Sequence, residues 1–262
     1  MIDAFYIPSG DGFESTLWTR GPWDARFQHA GPPAALLGRA IEQLDGGERF
    51  AVARITVELL RSVPLSVLSV DARLVRPGRR VQLAEATLRD ADGEIALARA
   101  WRIRRSPLAT DEQTAAEPLR LRGPGESTPE DGFDPWHGPS YFSAVEWRSA
   151  AGAFATPGPA AVWMRMRVAL VAGEQPSPLA RVLVAADSGN GVSMELPLAT
   201  HLFINTELSV HLFREPAGDW VCLDARTRIG SDGVGLASTA LYDSVGRIGT
   251  GNQALLVARR DP

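Results

Sequence analysis

Val57-Glu58-Leu59-Leu60-Arg61 and Val210-His211-Leu212-Phe213-Arg214 decide the fold, because they open a match that runs without a gap to Ile95 and Ile248. At a shift of 153 positions, 13 of the 39 pairs are identical. They include Asp71-Ala72-Arg73 over Asp224-Ala225-Arg226, Leu83-Ala84 over Leu236-Ala237, and Asp90, Gly93 and Ile95 over Asp243, Gly246 and Ile248. Ordinary residue usage gives about two or three identities by chance in such a window. The chain is a tandem duplication of one unit.

Working outward, each copy reads as short strands joined by tight turns. In the first copy residues 54–60, 68–76, 81–89 and 94–104 alternate or run apolar, with turns at Pro77-Gly78 and Asp90-Ala91-Asp92-Gly93. The second copy has Asp243-Ser244-Val245-Gly246 as its last turn. Strands separated by such turns form antiparallel meanders. One helix precedes each meander. Residues 32–44 carry Ala34, Leu37, Ala40, Ile41 and Leu44 at helical spacing behind a proline-rich start. Residues 178–186 carry Leu179, Val182, Leu183 and Ala186 behind Ser177, a good N-cap. Residues 106–140, rich in Pro, Gly, Glu and Thr, read as a linker between an N-terminal unit, 1–105, and a C-terminal unit, 141–262. A half of this kind leaves strand edges open, and two halves side by side close them by pairing into one longer sheet.

Composition narrows the partners. A formal net charge of −4 argues against a nucleic-acid surface. All 27 basic residues are arginine, so no lysine is present to form a Schiff base. The single cysteine, Cys222, rules out an intramolecular disulfide and a cysteine metal cluster. The chain starts without a basic-then-apolar leader, and no stretch approaches the roughly 18 apolar residues of a spanning helix. The expectation is a cytoplasmic protein, off the membrane, with neither metal nor cofactor, forming a dimer or larger homo-oligomer that covers its remaining sheet and helix faces.

Several segments together resemble the thioesterase II type of acyl-CoA thioesterase. In the first half these are His29-Ala30-Gly31-Pro32-Pro33-Ala34-Ala35-Leu36-Leu37, Arg54 to Arg61 before Pro64, and Asp90-Ala91-Asp92-Gly93. In the second half they are Asp187-Ser188-Gly189-Asn190-Gly191, Phe203 to Val210, and Gly251-Asn252-Gln253. The resemblance covers nearly the whole chain apart from the linker. It implies an α+β double hotdog: two fused copies, each an antiparallel sheet wrapped around a central helix. It also implies hydrolysis of acyl-CoA thioesters in lipid metabolism, by a water that an Asp, a Thr and a Gln of the second hotdog hold and activate. Carried over by position, the Asp is Asp187 and the Gln is Gln253. The Thr position falls on Asn205, a departure from the pattern, with Thr206 adjacent but on the opposite face of a strand.

The residue chemistry is consistent with that. Thioester hydrolysis needs a base, groups that orient water, and donors at the developing oxyanion. Asp187 suits the first task, and Asn205 and Gln253 suit the second. Gly31 and Pro32, at the first helix start, are candidates for presenting backbone to substrate, and Thr206 is a third substrate-binding candidate. Under the repeat, Asn205 corresponds to Val52 and Gln253 to Ala100, so one active site per chain is expected. Two other readings compete. One is a non-catalytic acyl-thioester binder or accessory protein, prompted by Asn205 in place of Thr. The other is a hotdog enoyl-CoA hydratase using Asp24 and His29, whose Asp-x4-His spacing precedes the first helix. Arg79, Arg80, Arg104 and Arg105 are candidates for the CoA phosphates, and Trp136, Trp147 and Trp163 for an acyl tunnel.

Overall fold

The computed structural model describes residues 3–106, 119–130, 135–154 and 156–260. Much of the expected linker, 107–118 and 131–134, therefore lies outside the described residues. The first half holds β1 (Ala4–Ser9), β2 (Gly12–Ser15), α1 (Gly31–Glu42), β3 (Phe50–Leu59), β4 (Val67–Arg76), β5 (Val81–Asp90) and β6 (Gly93–Arg104). The second begins with β7 (Thr128–Pro129), α2 (Tyr141–Ala144), β8 (Val145–Ala151), β9 (Ala160–Met166) and β10 (Ala169–Val171). It continues with α3 (Pro178–Ala186), α4 (Gly189–Val192), β11 (His201–Asn205), β12 (Glu207–Leu212), β13 (Val221–Ile229), β14 (Val234–Tyr242) and β15 (Arg247–Arg259).

Hydrogen-bonded neighbours run β10-β1-β2-β4-β5-β6-β3-β12-β15-β14-β13-β9-β8-β7, with β11 also on β15. The halves meet where β3 pairs antiparallel with β12. Thr56 and Ser209, 153 positions apart, face one another there, and their hydroxyls are 3.0 Å apart. A residue paired with its own duplicate marks a pseudo-two-fold axis between the two halves. The fold is a double hotdog of the α+β class.

Both helices pack against this sheet. The apolar stripe of α1, with Ala34, Leu37 and Ile41, and that of α3, with Leu179, Val182 and Leu183, are buried in one core with Ile55, Val57, Leu208 and Val210. Proline sits in the first turn of each helix, where the missing N–H has no intrahelical partner to lose. Ser177 caps α3 by accepting from the Ala180 amide at 3.0 Å. The helices run antiparallel. The start of α1 lies against Val184 near the end of α3, while Glu42 at the end of α1 accepts a hydrogen bond from Ser177 at 2.6 Å. Burial raises the Glu42 carboxyl above the usual carboxylate range, and the Ser177 bond opposes that shift.

The N-terminal and C-terminal units are stitched together beyond the central seam. β1 pairs in parallel with β10, Ala4 opposite Ala169. Within the expected linker, Thr128–Pro129 adds a short strand to β8. No helix among the described residues is long and apolar enough to cross a membrane.

Candidate active site

Asp187 is the C-cap of α3, where the helix stops and the chain turns through Ser188 into α4. It is buried, at 3% exposure, yet lines a cavity of about 270 Å³ between the two halves. A carboxylate so placed needs donors. Two side chains supply them, and a third stands beside the carboxylate. Asn205, the last residue of β11, donates from Nδ2 to Asp187 Oδ1 at 2.8 Å. Gln253, from β15, approaches Oδ1 with Nε2 at 3.4 Å. His29, just ahead of α1, places Nδ1 3.0 Å from Oδ2.

Asn205 and Gln253 differ in what remains free. Nδ2 of Asn205 also reaches the Glu207 carbonyl at 3.3 Å, while its Oδ1 has no partner among the described residues and the residue lines the cavity. Gln253 is 1% exposed and committed at both ends. Its Nε2 donates to the Asp187 carbonyl at 3.0 Å, and its Oε1 accepts from the Asn190 amide at 3.0 Å. It does not line the cavity. Gln253 thus fixes the Asp187 turn from behind. Thr206 is exposed at the cavity edge with its hydroxyl toward the Ala254 carbonyl, 3.4 Å away.

Gly31 and Pro32 are buried and do not line the cavity. The Gly31 amide is turned to His29 Nδ1, 3.1 Å away. Glycine is required there for helix packing, because a β-carbon would run into the Val184 carbonyl oxygen of α3. Gly31→Ala should cost about 1–3 kcal/mol as an overpacking change. A melting temperature several degrees below wild type checks it, at roughly 2–4 °C per kcal/mol for a chain of this size.

The apolar end of the cavity is aromatic. Trp147 stacks near Phe142 at 6.0 Å and leans on Phe154 at 5.0 Å, and Trp23 meets Phe203 edge-on at 5.1 Å. Of the three tryptophans expected at an acyl tunnel, Trp147 lines this cavity. Trp163 is buried with Nε1 on the Arg122 carbonyl, and Trp136 donates to the Gly21 carbonyl. Arg79, Arg80, Arg104 and Arg105 do not line it either, and Arg105 pairs with Glu215.

The hydratase pair is not assembled. Asp24 is gripped by its neighbour Arg26, whose hydrogen bonds hold the carboxyl down at about 2, and His29 turns to Asp187 instead. Sequence spacing had matched His29 with the wrong aspartate. The correct signal was available in the duplication: antiparallel helices related by a two-fold axis bring the start of one to the end of the other. Tyr141 was also missed. Its ring stacks on His29 at 3.7 Å, nearly parallel, and its hydroxyl donates to the Val184 carbonyl at 2.6 Å and lies 2.8 Å from Ser188 Oγ.

With this geometry in place, the chain matches two family models: the acyl-CoA thioesterase N-terminal domain over residues 19–103 and the acyl-CoA thioesterase C-terminal domain over residues 124–257. No curated protein matches its sequence. Three similar solved structures share its fold. A conserved protein of unknown function with a hot dog fold from Alicyclobacillus acidocaldarius is 15% identical, with a TM-score of 0.73 over 98% of this chain and 96% of that one. The tesB protein of Mycobacterium avium subspecies paratuberculosis is 13% identical, with a TM-score of 0.68 over 97% and 96%. The acyl-CoA thioesterase II TesB2 of Mycobacterium marinum is 15% identical, with a TM-score of 0.60 over 89% and 90%.

Proposed function

We propose, from the premise that the chain belongs to the acyl-CoA thioesterase family, that it hydrolyses acyl-CoA through a water activated by the Asp187 carboxylate cluster and oriented by Asn205. The observation that carries this reading is Asp187 itself: an almost fully buried carboxylate, held by an amide from β11 and another from β15, opening onto an apolar cavity. As a member of that family the protein is an acyl-CoA thioesterase. The finer assignment concerns how the water is handled. Asn205 can serve where the family carries threonine because an amide has both functions of a hydroxyl: Nδ2 donates to the carboxylate, and Oδ1 remains to accept from water. Gln253 keeps the carboxylate in place from behind.

The cavity sets the substrate class. At about 270 Å³, with Phe142, Trp147 and Phe154 in its lining, it is small beside typical ligand sites of roughly 300–1,000 Å³. Short, branched or aromatic acyl groups fit that space better than long chains. We assign the reaction to the cytoplasm, where a lone buried thiol such as Cys222 stays reduced. We also assign it to a homo-oligomer, because both copies expose a cross-strand apolar pair on the outer sheet face, Val81 with Ile103 and Val234 with Leu256.

Free-thiol release from a panel of short, medium, long and aromatic acyl-CoAs tests the reading. The expected result is turnover that favours the compact acyl groups. Asn205→Ala should lower kcat roughly 10- to 100-fold, the equivalent of losing a hydrogen bond to a charged group. Binding of acyl-CoA with no thiol released from any member of the panel would move the protein to the accessory-binder class.

A further inference from the structure

Acceptance of hydrolysis at this site leaves open where the proton of the attacking water goes. Asp187 is poorly disposed to take it. Oδ1 already receives Asn205 and Gln253, and Oδ2 faces His29 Nδ1. The imidazole beside it is placed differently. Its backbone amide is fixed by a 2.7 Å bond to the Thr19 carbonyl, its ring plane is held flat against Tyr141, and its ring lines the cavity. Nδ1 is engaged, whereas Nε2 has no hydrogen-bond partner among the described residues.

Two groups compete for Nδ1. The Gly31 amide would use its lone pair, and the Asp187 carboxylate would use its proton. A charge-assisted bond is about twice as strong as a neutral one, so Nδ1–H donating to Asp187 Oδ2 prevails. That tautomer leaves the lone pair on Nε2, the nitrogen without a partner.

We propose that His29 is a catalytic residue of the hydrolysis proposed above, taking the proton of the attacking water on Nε2 while Asp187 holds its tautomer through Nδ1. In the first step the water oxygen bonds to the thioester carbonyl carbon, and one water proton passes to Nε2. The resulting imidazolium is stabilised by the Asp187 carboxylate. In the second step the carbon–sulfur bond breaks, and the Nε2 proton goes to the departing sulfur, giving free acid and thiol and restoring the neutral ring. The first half of the chain thereby contributes the base and the second half its orienting carboxylate, so the site exists only in the fused pair.

Burial holds the His29 imidazole below the ordinary histidine value, with Asp187 opposing that shift, so the ring favours its neutral form. The other ionisable groups around it are accounted for. Tyr141 is raised by burial and stays a neutral phenol, Asp24 is paired with Arg26, and Arg61 at the cavity wall is paired with Asp90. The acid limb of the rate profile then belongs to His29 and lies below pH 6.5.

The test is kcat and kcat/KM against pH for wild type, His29→Gln and His29→Ala, on the best acyl-CoA of the panel, with melting temperatures and with imidazole added to His29→Ala. The expected result is a fall in kcat of about 10²–10³-fold in both variants, loss of the acid limb, and partial rescue of His29→Ala by imidazole. Turnover by His29→Gln within about threefold of wild type, or a slower variant that keeps the wild-type acid limb and ignores imidazole, overturns the role. A wild type that releases no thiol at all defeats the hydrolysis reading first, which separates that failure from failure of the histidine.

Discussion

Asp187→Asn lowers kcat for acyl-CoA hydrolysis by about 10²–10⁴-fold, the range lost with a group that drives proton transfer, while the protein still folds. The substitution preserves shape and changes one oxygen to a donor. In the native site Asn205 Nδ2 and Gln253 Nε2 donate to the carboxylate, and in the tautomer proposed above so does His29 Nδ1, 3.0 Å away. An amide nitrogen put in place of either oxygen faces at least one of them donor to donor, and no negative charge remains to stabilise a protonated imidazole or polarise water. The lost hydrogen bonds cost about 1–3 kcal/mol of stability, a fraction of the effect on rate. Steady-state kinetics alongside thermal melts separates the two. Hydrolysis that persists within threefold of wild type in Asp187→Asn would remove this carboxylate from the site altogether.

The same residues show what a single sequence discloses. Repetition made the architecture legible, because antiparallel strands pair with their neighbours and a duplicated unit has one economical way to cover its open edge. Which strands would form the seam was not legible; it falls at Thr56 and Ser209, residues related by the 153-residue shift. Helix starts were equally plain, since proline and serine act locally there. Asp187, Asn205 and Gln253 were placed through resemblance, and the structure brings all three together. Their division of labour was not legible. Whether an amide faces a cavity or a turn depends on strand register and helix position, which is why Gln253 proves to be a buried support and Asn205 a wall of the cavity. The partnership of His29 with Asp187 spans the two halves, so no local spacing could encode it. β1 was missed for a related reason: it is stabilised by β2 and by β10 of the other unit.

Asp243→Ala should be strongly destabilising, by about 3–5 kcal/mol, because it breaks a buried ion pair from one side. The repeat pairs Arg61 with Asp90 and Arg214 with Asp243, clamping the strand before each meander to its last hairpin turn, and the two copies are not equal. Asp90 takes Arg61 at 2.5 Å and the Asp92 amide at 2.8 Å. Asp243, fully buried, takes both guanidinium nitrogens of Arg214 at 2.5 and 2.6 Å and the amides of Ala217, Val245 and Gly246 at 2.8–3.0 Å. Asp90→Ala should therefore cost less, and at roughly 2–4 °C per kcal/mol the difference is readable in a melt. Acid separates the charge from the hydrogen bonds. Burial raises the Asp243 carboxyl, but Arg214 and the three amides pull it down further, leaving it below the ordinary aspartate value. A depressed folded value means that the stabilisation is complete above the unfolded pKa, about 3.9, and fades as pH falls through the lower folded one. Wild type should lose stability steeply below about pH 4, and Asp243→Asn, with nothing to protonate, should lose less over the same interval. Equal acid slopes in the two proteins would mean that the second hairpin clamp does not carry its charge into stability, and that duplication preserved this arginine and aspartate for geometry alone.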